Sequence, residues 1–152
     1  MLRLSKLTDY GTVIMTHMAR EPARVYSAAE VAGAVGVSVA TASKILKALA
    51  RKELLQSLRG AHGGYLLARP PAEISIAQVI DALEGPLGVT ECSVGAGQCM
   101  QEGSCAVRGN WQRINQVIHR TLSNLTLEDM AQPGFQPVVD DSGIRSGSEA
   151  YR

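Results

Sequence analysis

Hydrophobic residues recur every three or four positions near the start of the chain and predict an amphipathic helix over residues 8–19. One face of that helix carries Tyr10, Val13, Ile14 and Met18. Thr8 belongs to the residue types that cap a helix N-terminus, and Pro22 lies in the stretch that ends the pattern. We expect the apolar face to pack into a core.

Two further helices follow closely along the chain. Ser27, with Glu30 three residues later, forms a capping box that predicts a helix over residues 27–35. Gly36 suits the left-handed turn that ends a helix, and Ser38 is placed to cap a third helix over residues 39–51. Two short helices joined in this way form a helix-turn-helix.

The third helix separates its apolar residues from its small and basic ones. Ile45, Leu46 and Leu49 recur at helical spacing and are expected to face the core. The outward positions carry Ala40, Thr41, Ser43, Lys44 and Lys47. A recognition helix needs short side chains near its N-terminus to enter the major groove of DNA, and lysines that meet phosphates. An ordinary surface helix shows the same pattern, so both interpretations stay open at this point.

Two β-compatible runs, residues 54–59 and 65–68, flank the glycine-rich stretch 60–64 and predict a hairpin. Behind a helix-turn-helix, such a hairpin is a wing. Arg59 at its base is expected to lie along phosphates or to enter a narrow minor groove, and Gly63 and Gly64 allow close backbone approach. His62 at the tip is interpreted as an exposed turn residue or a phosphate contact rather than a metal ligand.

Helical spacing returns over residues 76–83 and again over residues 108–125. The longer helix carries an apolar stripe made of Trp111, Ile114, Ile118, Leu122 and Leu125. Such a stripe on an extended helix indicates a partner helix, although packing against its own domain gives the same pattern. Residues 133–152 are rich in polar and turn-forming residues without any period, which predicts a disordered tail.

Charge is distributed unequally between the two halves of this chain of 152 residues. Residues 1–70 carry 10 Lys or Arg against 4 Asp or Glu, a balance of +6, whereas residues 71–152 carry 5 against 10, a balance of −5. A basic half indicates nucleic-acid binding, with a solvated basic face as the plain alternative. The sequence shows neither a signal peptide nor a run of about 18 apolar residues, so we expect a cytoplasmic protein without membrane contact.

All three cysteines, Cys92, Cys99 and Cys105, fall within the glycine-bearing stretch 91–105. Soft thiolates select zinc or iron–sulfur iron, and glycines let a loop bring several sulfurs to one point. An odd number of cysteines would leave one thiol over in a set of disulfides. Zinc sites favour pairs of cysteines two residues apart, and the absence of this spacing counts against zinc. Cluster-free redox thiols stay open as an alternative to an iron–sulfur cluster.

Residues 1 to about 132 resemble the Rrf2 type of winged helix-turn-helix iron–sulfur regulators, which includes IscR-like, NsrR-like and SUF-system assembly regulators. The resemblance rests on the opening segment 2–10, the helix-turn-helix, the wing 57–68, the helix 76–83 and the three cysteines, in that order. The opening segment is most similar to regulators of the SUF iron–sulfur assembly operon.

The resemblance implies a homodimer that holds an iron–sulfur cluster. The cluster is of the 2Fe-2S type in IscR-like members and of other types in other members, and its state governs operator binding. By resemblance the three cysteines take the cysteine-ligand positions. IscR-like proteins supply a histidine three residues after the third cysteine, and this chain has Arg108 there, whose guanidinium has no lone pair for iron. The recognition-helix glutamate of IscR-like members is replaced by Ser43, so their operator cannot be copied to this chain.

Asp9 is the first candidate for the fourth ligand, because NsrR-like relatives use an N-terminal aspartate of the opposite subunit at the matching point. An Asp in the first turn of a helix also interacts favourably with the helix dipole, which needs no cluster. The other candidates are a small thiol, water, Glu91, Glu102, Asn110 and His119.

The sequence thus predicts a mainly α fold with a small β wing. The expected parts are a DNA-binding domain (1–83), a cysteine-rich cluster loop (84–107), a dimerisation helix with a short following helix (108–132) and the tail. The residues expected at double-stranded DNA are Ser38, Thr41, Ser43, Lys44, Lys47, Arg59, His62, Gly63 and Gly64.

The expected function is iron–sulfur-sensing control of SUF-type cluster assembly genes. A protein whose C-terminal half docks a metabolic enzyme is the alternative from another class. No nucleophile–base pair, nucleotide loop or paired-carboxylate arrangement indicates an enzyme or a small-molecule substrate.

Overall fold

The computed structural model describes residues 3–140 and 143–145, and within them the chain is mainly helical with two short hairpins. A short 3-10 turn at Pro71–Glu73 precedes the fourth helix. In chain order the elements are α1 (Lys6–Met18), α2 (Ala28–Val35), α3 (Val39–Arg51), β1 (Leu55–Leu58), β2 (Gly64–Leu67), α4 (Ile76–Glu84), α5 (Glu91–Val94), α6 (Arg108–Asn124), α7 (Leu127–Ala131), β3 (Val138–Asp140) and β4 (Gly143–Arg145).

The first helix, α1, begins earlier than predicted because Ser5, not Thr8, is its cap. The Ser5 Oγ accepts a hydrogen bond from the Thr8 N–H at 3.2 Å, and Thr8 is fully buried in the first turn. The Ser5 N–H donates to a carboxylate oxygen of Glu84 at 2.6 Å, which fastens this cap to the end of α4. The predicted core face is confirmed for Ile14 but wrong for Val13, which is 46% exposed.

Helices α2 and α3 form the predicted helix-turn-helix. Ser27 and Glu30 make both hydrogen bonds of the capping box. Gly36 ends α2 with a φ of 77°, a left-handed conformation that favours glycine. Ser38 caps α3 by accepting the Thr41 N–H at 3.1 Å. Ile45, Leu46 and Leu49 of α3 are buried in the main core, as predicted. Ala42 of the same helix is also buried there.

Strands β1 and β2 form the predicted wing, with Leu55 paired to Leu67 in an antiparallel register. Tyr26, just before α2, extends this hairpin, because its N–H and its carbonyl each bond to the backbone of Tyr65 at 2.8 Å. A Cβ on Gly64 would collide with the Tyr26 carbonyl. Glycine at position 64 therefore lets the wing lie against the helical domain.

The C-terminal helices pack back onto the same domain. Leu127 of α7 is fully buried in the main core, and its N–H donates to the Ile74 carbonyl at 2.7 Å. A smaller core at α4 contains Ile76, Ile80 and Leu125. Residues 108–132 therefore share two cores with the winged domain.

The predicted disordered tail, residues 133–152, contains the short hairpin of β3 and β4, in which Val138 pairs with Arg145. Residues 141–142 and 146–152 lie outside the described residues, so disorder there stays a prediction.

Among the described helices, none by itself is long and apolar enough to span a membrane. Helices α2 and α3, bent by 115° at their junction, meet that test only when taken together, by length and composition.

Candidate functional site

A basic stripe runs along the exposed face of α3. Lys44, Lys47 and Arg51 are all exposed, and their spacing of three and four residues places them on one side of the helix. With Ser57 and Tyr65 of the wing, they line a shallow cleft of about 340 Å³. Cations and hydroxyls around a cleft suit a phosphate of the DNA backbone. Sequence reasoning missed Arg51, although its helical spacing from the two lysines was a visible signal.

The first turn of α3 presents apolar side chains to solvent. Val39 is 52% exposed and Ala40 is exposed beside it. The hydroxyls of Ser38 and Thr41 lie 2.8 Å apart and take part in the helix cap. Ser43 is half-buried. The predicted polar base contacts are thus less available to DNA than the sequence suggested.

Arg59, expected at the base of the wing, instead follows directly after β1 in the turn that joins the two strands, and both Arg59 and His62 are exposed there. The Gly63 N–H donates to the Gly60 carbonyl at 3.0 Å and closes the turn. A Cβ on Gly63 would collide with the Leu58 carbonyl. The fold of the wing therefore accounts for this glycine, and its role in approaching DNA stays a prediction.

The cysteine segment, defined as residues 90–108, contains one helical turn that the sequence did not predict. Cys92 lies in this turn, α5, and is buried, whereas Cys99 and Cys105 are half-buried. All three are free thiols. The Cys92 Sγ lies 3.3 Å from the Thr90 Oγ1, within hydrogen-bonding distance. Cys92 is thus the most firmly held of the three cysteines.

Glu102 ties together distant parts of the cysteine segment. One carboxylate oxygen accepts the Gly97 N–H at 2.5 Å, and the other accepts a hydrogen bond from the Arg108 Nη2. The Glu102 side chain is only 14% exposed, which reduces screening of this ion pair by water. The Nε of Arg108 is buried and has no hydrogen-bond partner among the residues that the structure describes. Arg108 therefore serves as the counter-ion of Glu102.

Two amide side chains of α6 hold the backbone at the start of the cysteine segment. The Asn115 Oδ1 accepts the Val89 N–H at 3.1 Å, and its Nδ2 donates to the Leu87 carbonyl at 3.2 Å. The Gln112 Nε2 donates to the Cys92 carbonyl at 3.5 Å. Sequence reasoning missed both amides, although polar residues three apart on an amphipathic helix were a possible signal. A displacement of Cys92 would consequently act on α6.

The predicted apolar stripe of α6 divides into two parts. Ile118 and Leu122 line a groove of about 400 Å³ beside Leu87, and Leu125 is buried against α4. The other part, Trp111 and Ile114, is 38% and 45% exposed, and beside it lies Val117, which was not in the predicted stripe and is 63% exposed. These three residues, here called the outer face of α6, are left largely uncovered by the described residues of their own chain.

Asp9 lies on the exposed side of α1, where it lines a groove with Val35 of α2 and Met130 of α7. The Cys92 backbone contacts α6 instead. The described part of a single chain thus does not group Asp9 with the cysteines. Ligation by Asp9 would need a second copy, as the resemblance implies.

The sequence matches the model of a known family, Rrf2, described as an iron-dependent transcriptional regulator, over residues 4–133. The chain belongs to the Rrf2 family. This membership confirms the resemblance inferred from the opening segment, the helix-turn-helix and the wing.

Individual relatives of this Rrf2 protein are also transcriptional regulators. A helix-turn-helix-type transcriptional regulator of Neisseria meningitidis is 35% identical over 96 residues, a match that covers 63% of this chain and spans only 64% of the relative. The regulator IscR of Escherichia coli is 27% identical over 152 residues, or 99% of this chain and 92% of IscR. The structure of CymR, the global cysteine regulator of B. subtilis, has a TM-score of 0.69 and 30% identity, covering 86% and 97% of the two chains.

These relatives confirm the winged-helix fold and the expectation of a DNA-binding regulator rather than an enzyme.

The cysteines of this Rrf2 regulator are suitable ligands for an iron–sulfur cluster, but their side chains are not grouped around one point. Three free thiols in one glycine-bearing segment are the ligands that such clusters use. Within residues 3–140 and 143–145, however, no three His, Cys, Asp or Glu side chains lie together as a metal site. Cys99 and Cys105 would have to close on Cys92 for a cluster to bind.

Proposed function

We propose that this Rrf2 regulator senses an iron–sulfur cluster held by Cys92, Cys99 and Cys105, and that cluster state switches the DNA binding of a homodimer. A 2Fe-2S cluster is the first candidate. The proposed targets are SUF-type cluster assembly genes, and the proposed location is the cytoplasm.

The observation that carries this proposal is the link between the cysteine segment and α6. Gln112 binds the backbone of Cys92 itself, and Asn115 binds the backbone at Val89, just before the segment. Since α6 also packs on α4 of the winged domain, a change at Cys92 has a short path to the DNA-binding elements. A thiol site attached to a DNA-binding domain in this way is suited to sensing.

The proposed switch depends on a difference between the two halves of the cysteine segment, one that stays in place and one that has to rearrange. A bound cluster would connect the three thiolates, and iron limitation or oxidation would break this connection. Cys92 is held by α5 and α6, so it acts as the fixed point of the site. Glu102 and Arg108 restrain the other half of the segment, which has to rearrange.

The proposed dimer uses the outer face of α6, where Trp111, Ile114 and Val117 are exposed. Apolar side chains at three-residue spacing suit a partner helix, and a two-fold dimer would place two α3 helices on a pseudo-palindromic site. Introducing charge by Val117→Lys is expected to give monomers in analytical ultracentrifugation. The matched change Gln116→Lys, on the neighbouring exposed position, is expected to leave the dimer intact.

The test of cluster sensing is an anaerobic preparation followed by visible absorption, Mössbauer spectroscopy and iron analysis. Cys92→Ser, Cys99→Ser and Cys105→Ser are each expected to lower bound iron, whereas Ser104→Ala beside Cys105 is the matched control. Binding to DNA from upstream of iron–sulfur assembly genes is then compared between the cluster-loaded and chelator-treated forms. A colourless protein that binds this DNA equally well before and after chelation contradicts the proposal.

The fourth ligand is tested by Asp9→Ala. If the partner's carboxylate at this position ligates the cluster, the variant is expected to lose the cluster faster in air and to show an altered Mössbauer spectrum. Unchanged spectra and unchanged cluster lifetime exclude Asp9.

A cluster-free thiol regulator of the same fold is the second candidate. It is favoured by the separation of the three cysteines, since the described residues include no group of His, Cys, Asp or Glu side chains placed to hold a metal ion. In that case DNA binding would respond to oxidants in colourless protein, and mass spectrometry would find modified cysteines.

A further inference from the structure

We propose that this regulator selects thymines in its operator through the side chains of Val39 and Ala40, which contact thymine methyl groups in the major groove. The proposal rests on the proposed DNA binding. It adds the type of base that is selected and the side chains that select it.

The exposure of Val39 and Ala40 is the first observation. Val39, the first residue of α3, is 52% exposed, although a valine of the helical core would be buried. Ala40 lies four and seven residues before Lys44 and Lys47, so it shares the outward side of the helix with them. The long side chains of the lysines reach phosphates, and the short side chain of Ala40, one turn or more before them on the same side, lets the start of the helix come close to the base edges.

The engagement of the neighbouring hydroxyls is the second observation. The Ser38 Oγ accepts the Thr41 N–H at 3.1 Å and lies 2.8 Å from the Thr41 Oγ1. Ser43 is half-buried. Residues 38–43 include none of the Arg, Lys, Asn or Gln side chains that form paired hydrogen bonds to base edges.

The chemistry of the major groove identifies the base. The C5 methyl group of thymine is the apolar feature that base edges present there, and alanine-like side chains contact it. An apolar first turn on a basic helix thus matches a thymine flanked by phosphates. Each methyl contact is expected to change affinity about threefold to fivefold, and the two half-sites of a dimer together roughly tenfold or more.

The experiment uses the full chain and a duplex that the wild-type protein selects from a randomised DNA pool. Binding is measured for the cluster-loaded and chelated forms, and the tighter form is kept. Each thymine is then replaced by deoxyuridine, which removes only the methyl group. We expect one symmetric pair of replacements to weaken wild-type binding roughly tenfold.

Variants assign that effect to side chains. Val39→Thr replaces one methyl group of valine by a hydroxyl of similar size, and Ala40→Ser adds a hydroxyl to the alanine side chain. Each variant is expected to discriminate less strongly between the thymine and deoxyuridine duplexes than the wild-type protein does. Val13→Thr on α1, which changes a valine of similar exposure (46%) away from α3, is expected to keep the wild-type discrimination.

The outcomes separate this inference from the proposed function. If the pool yields no bound duplex at all, DNA binding fails and the inference fails with it. If a duplex is bound but no deoxyuridine replacement weakens binding, only the thymine proposal is overturned. Equal discrimination by the wild-type protein and both α3 variants also overturns it, since another residue would then contact the methyl group.

Discussion

The guanidinium of Arg108 donates a hydrogen bond to the carboxylate of Glu102, six residues earlier in the cysteine segment. The other oxygen of that carboxylate holds the Gly97 N–H, so one side chain restrains both halves of the loop around Cys99. The arginine stands where IscR-like relatives have a histidine. In this chain that position therefore restrains the cysteine segment through charge.

Glu102→Gln is expected to loosen the cysteine segment. The amide keeps the shape of the side chain but loses the charge, and hydrogen bonds with charged partners are the stronger ones. Hydrogen exchange at Gly97 in metal-free protein is expected to be roughly tenfold faster. Glu91→Gln, an exposed position in the same segment, is the control. Identical exchange in wild type and Glu102→Gln would show that the carboxylate charge does not restrain the loop.

Gly64→Ala is expected to destabilise the wing. Gly64 has a φ of 155°, and an added Cβ would meet the Tyr26 carbonyl. Unfolding free energy is expected to fall by about 1–3 kcal/mol, measured by chemical denaturation. Gly33→Ala, with open space around its Cβ inside α2, is expected to raise it by about 0.5–1 kcal/mol. A neutral Gly64→Ala would mean that the wing shifts away from Tyr26 without loss.

Stability in mild acid is expected to depend on Glu84. Hydrogen bonding to the Thr8 side chain, and then to the Ser5 N–H, lowers the pKa of Glu84 below its ordinary value of 4.5, against the opposing effect of burial. Because the pKa of Glu84 is lower in the folded state, its ionised carboxylate stabilises the protein above about pH 4.5. This contribution is lost as the pH falls through the pKa of the folded state.

Denaturation of wild type and Glu84→Gln between about pH 7 and about pH 3 checks this expectation. The difference in unfolding free energy between the two proteins is expected to be constant at neutral pH and to shrink below about 4.5. Thr8→Ser, which keeps the hydroxyl, is expected to retain the wild-type pH dependence. A difference that stays constant across this range would exclude the Glu84 contribution.

Lys47→Ala and Arg51→Ala are each expected to weaken DNA binding without changing the preferred sequence. Both residues line the cleft between α3 and the wing, so they are expected to meet phosphates. Each substitution is expected to lower the slope of log affinity against log salt by about one per protomer. Lys52→Ala is the control, because Lys52 lies 3.9 Å from Asp81 of α4. An unchanged salt dependence for Arg51→Ala would place Arg51 away from the DNA.

Of the candidate site, the local features were predictable and the contacts between distant residues were not. The cysteines and the lysines of α3 were identified because their residue types and spacing already indicate their chemistry. Gln112 and Asn115 were missed, since their role depends on which backbone groups lie opposite α6. Arg51 was missed although its helical spacing was visible.

The sequence by itself determined the features that depend on neighbours within one helical turn. The capping box of Ser27 and Glu30, the left-handed Gly36 and the core face of α3 follow from local hydrogen bonding and from the helical period. Such features need no knowledge of the rest of the molecule, and the structure contains them as predicted.

Only the tertiary structure decided the features for which two local solutions compete or a partner is distant in sequence. Ser5 rather than Thr8 caps α1, where the Ser5 N–H also binds Glu84, 79 residues away. The single apolar stripe of α6 became a packed side and an outer face, because α4 and Leu87 cover only part of it. Helical periodicity shows which apolar residues share one face of a helix, whereas the fold decides what covers that face.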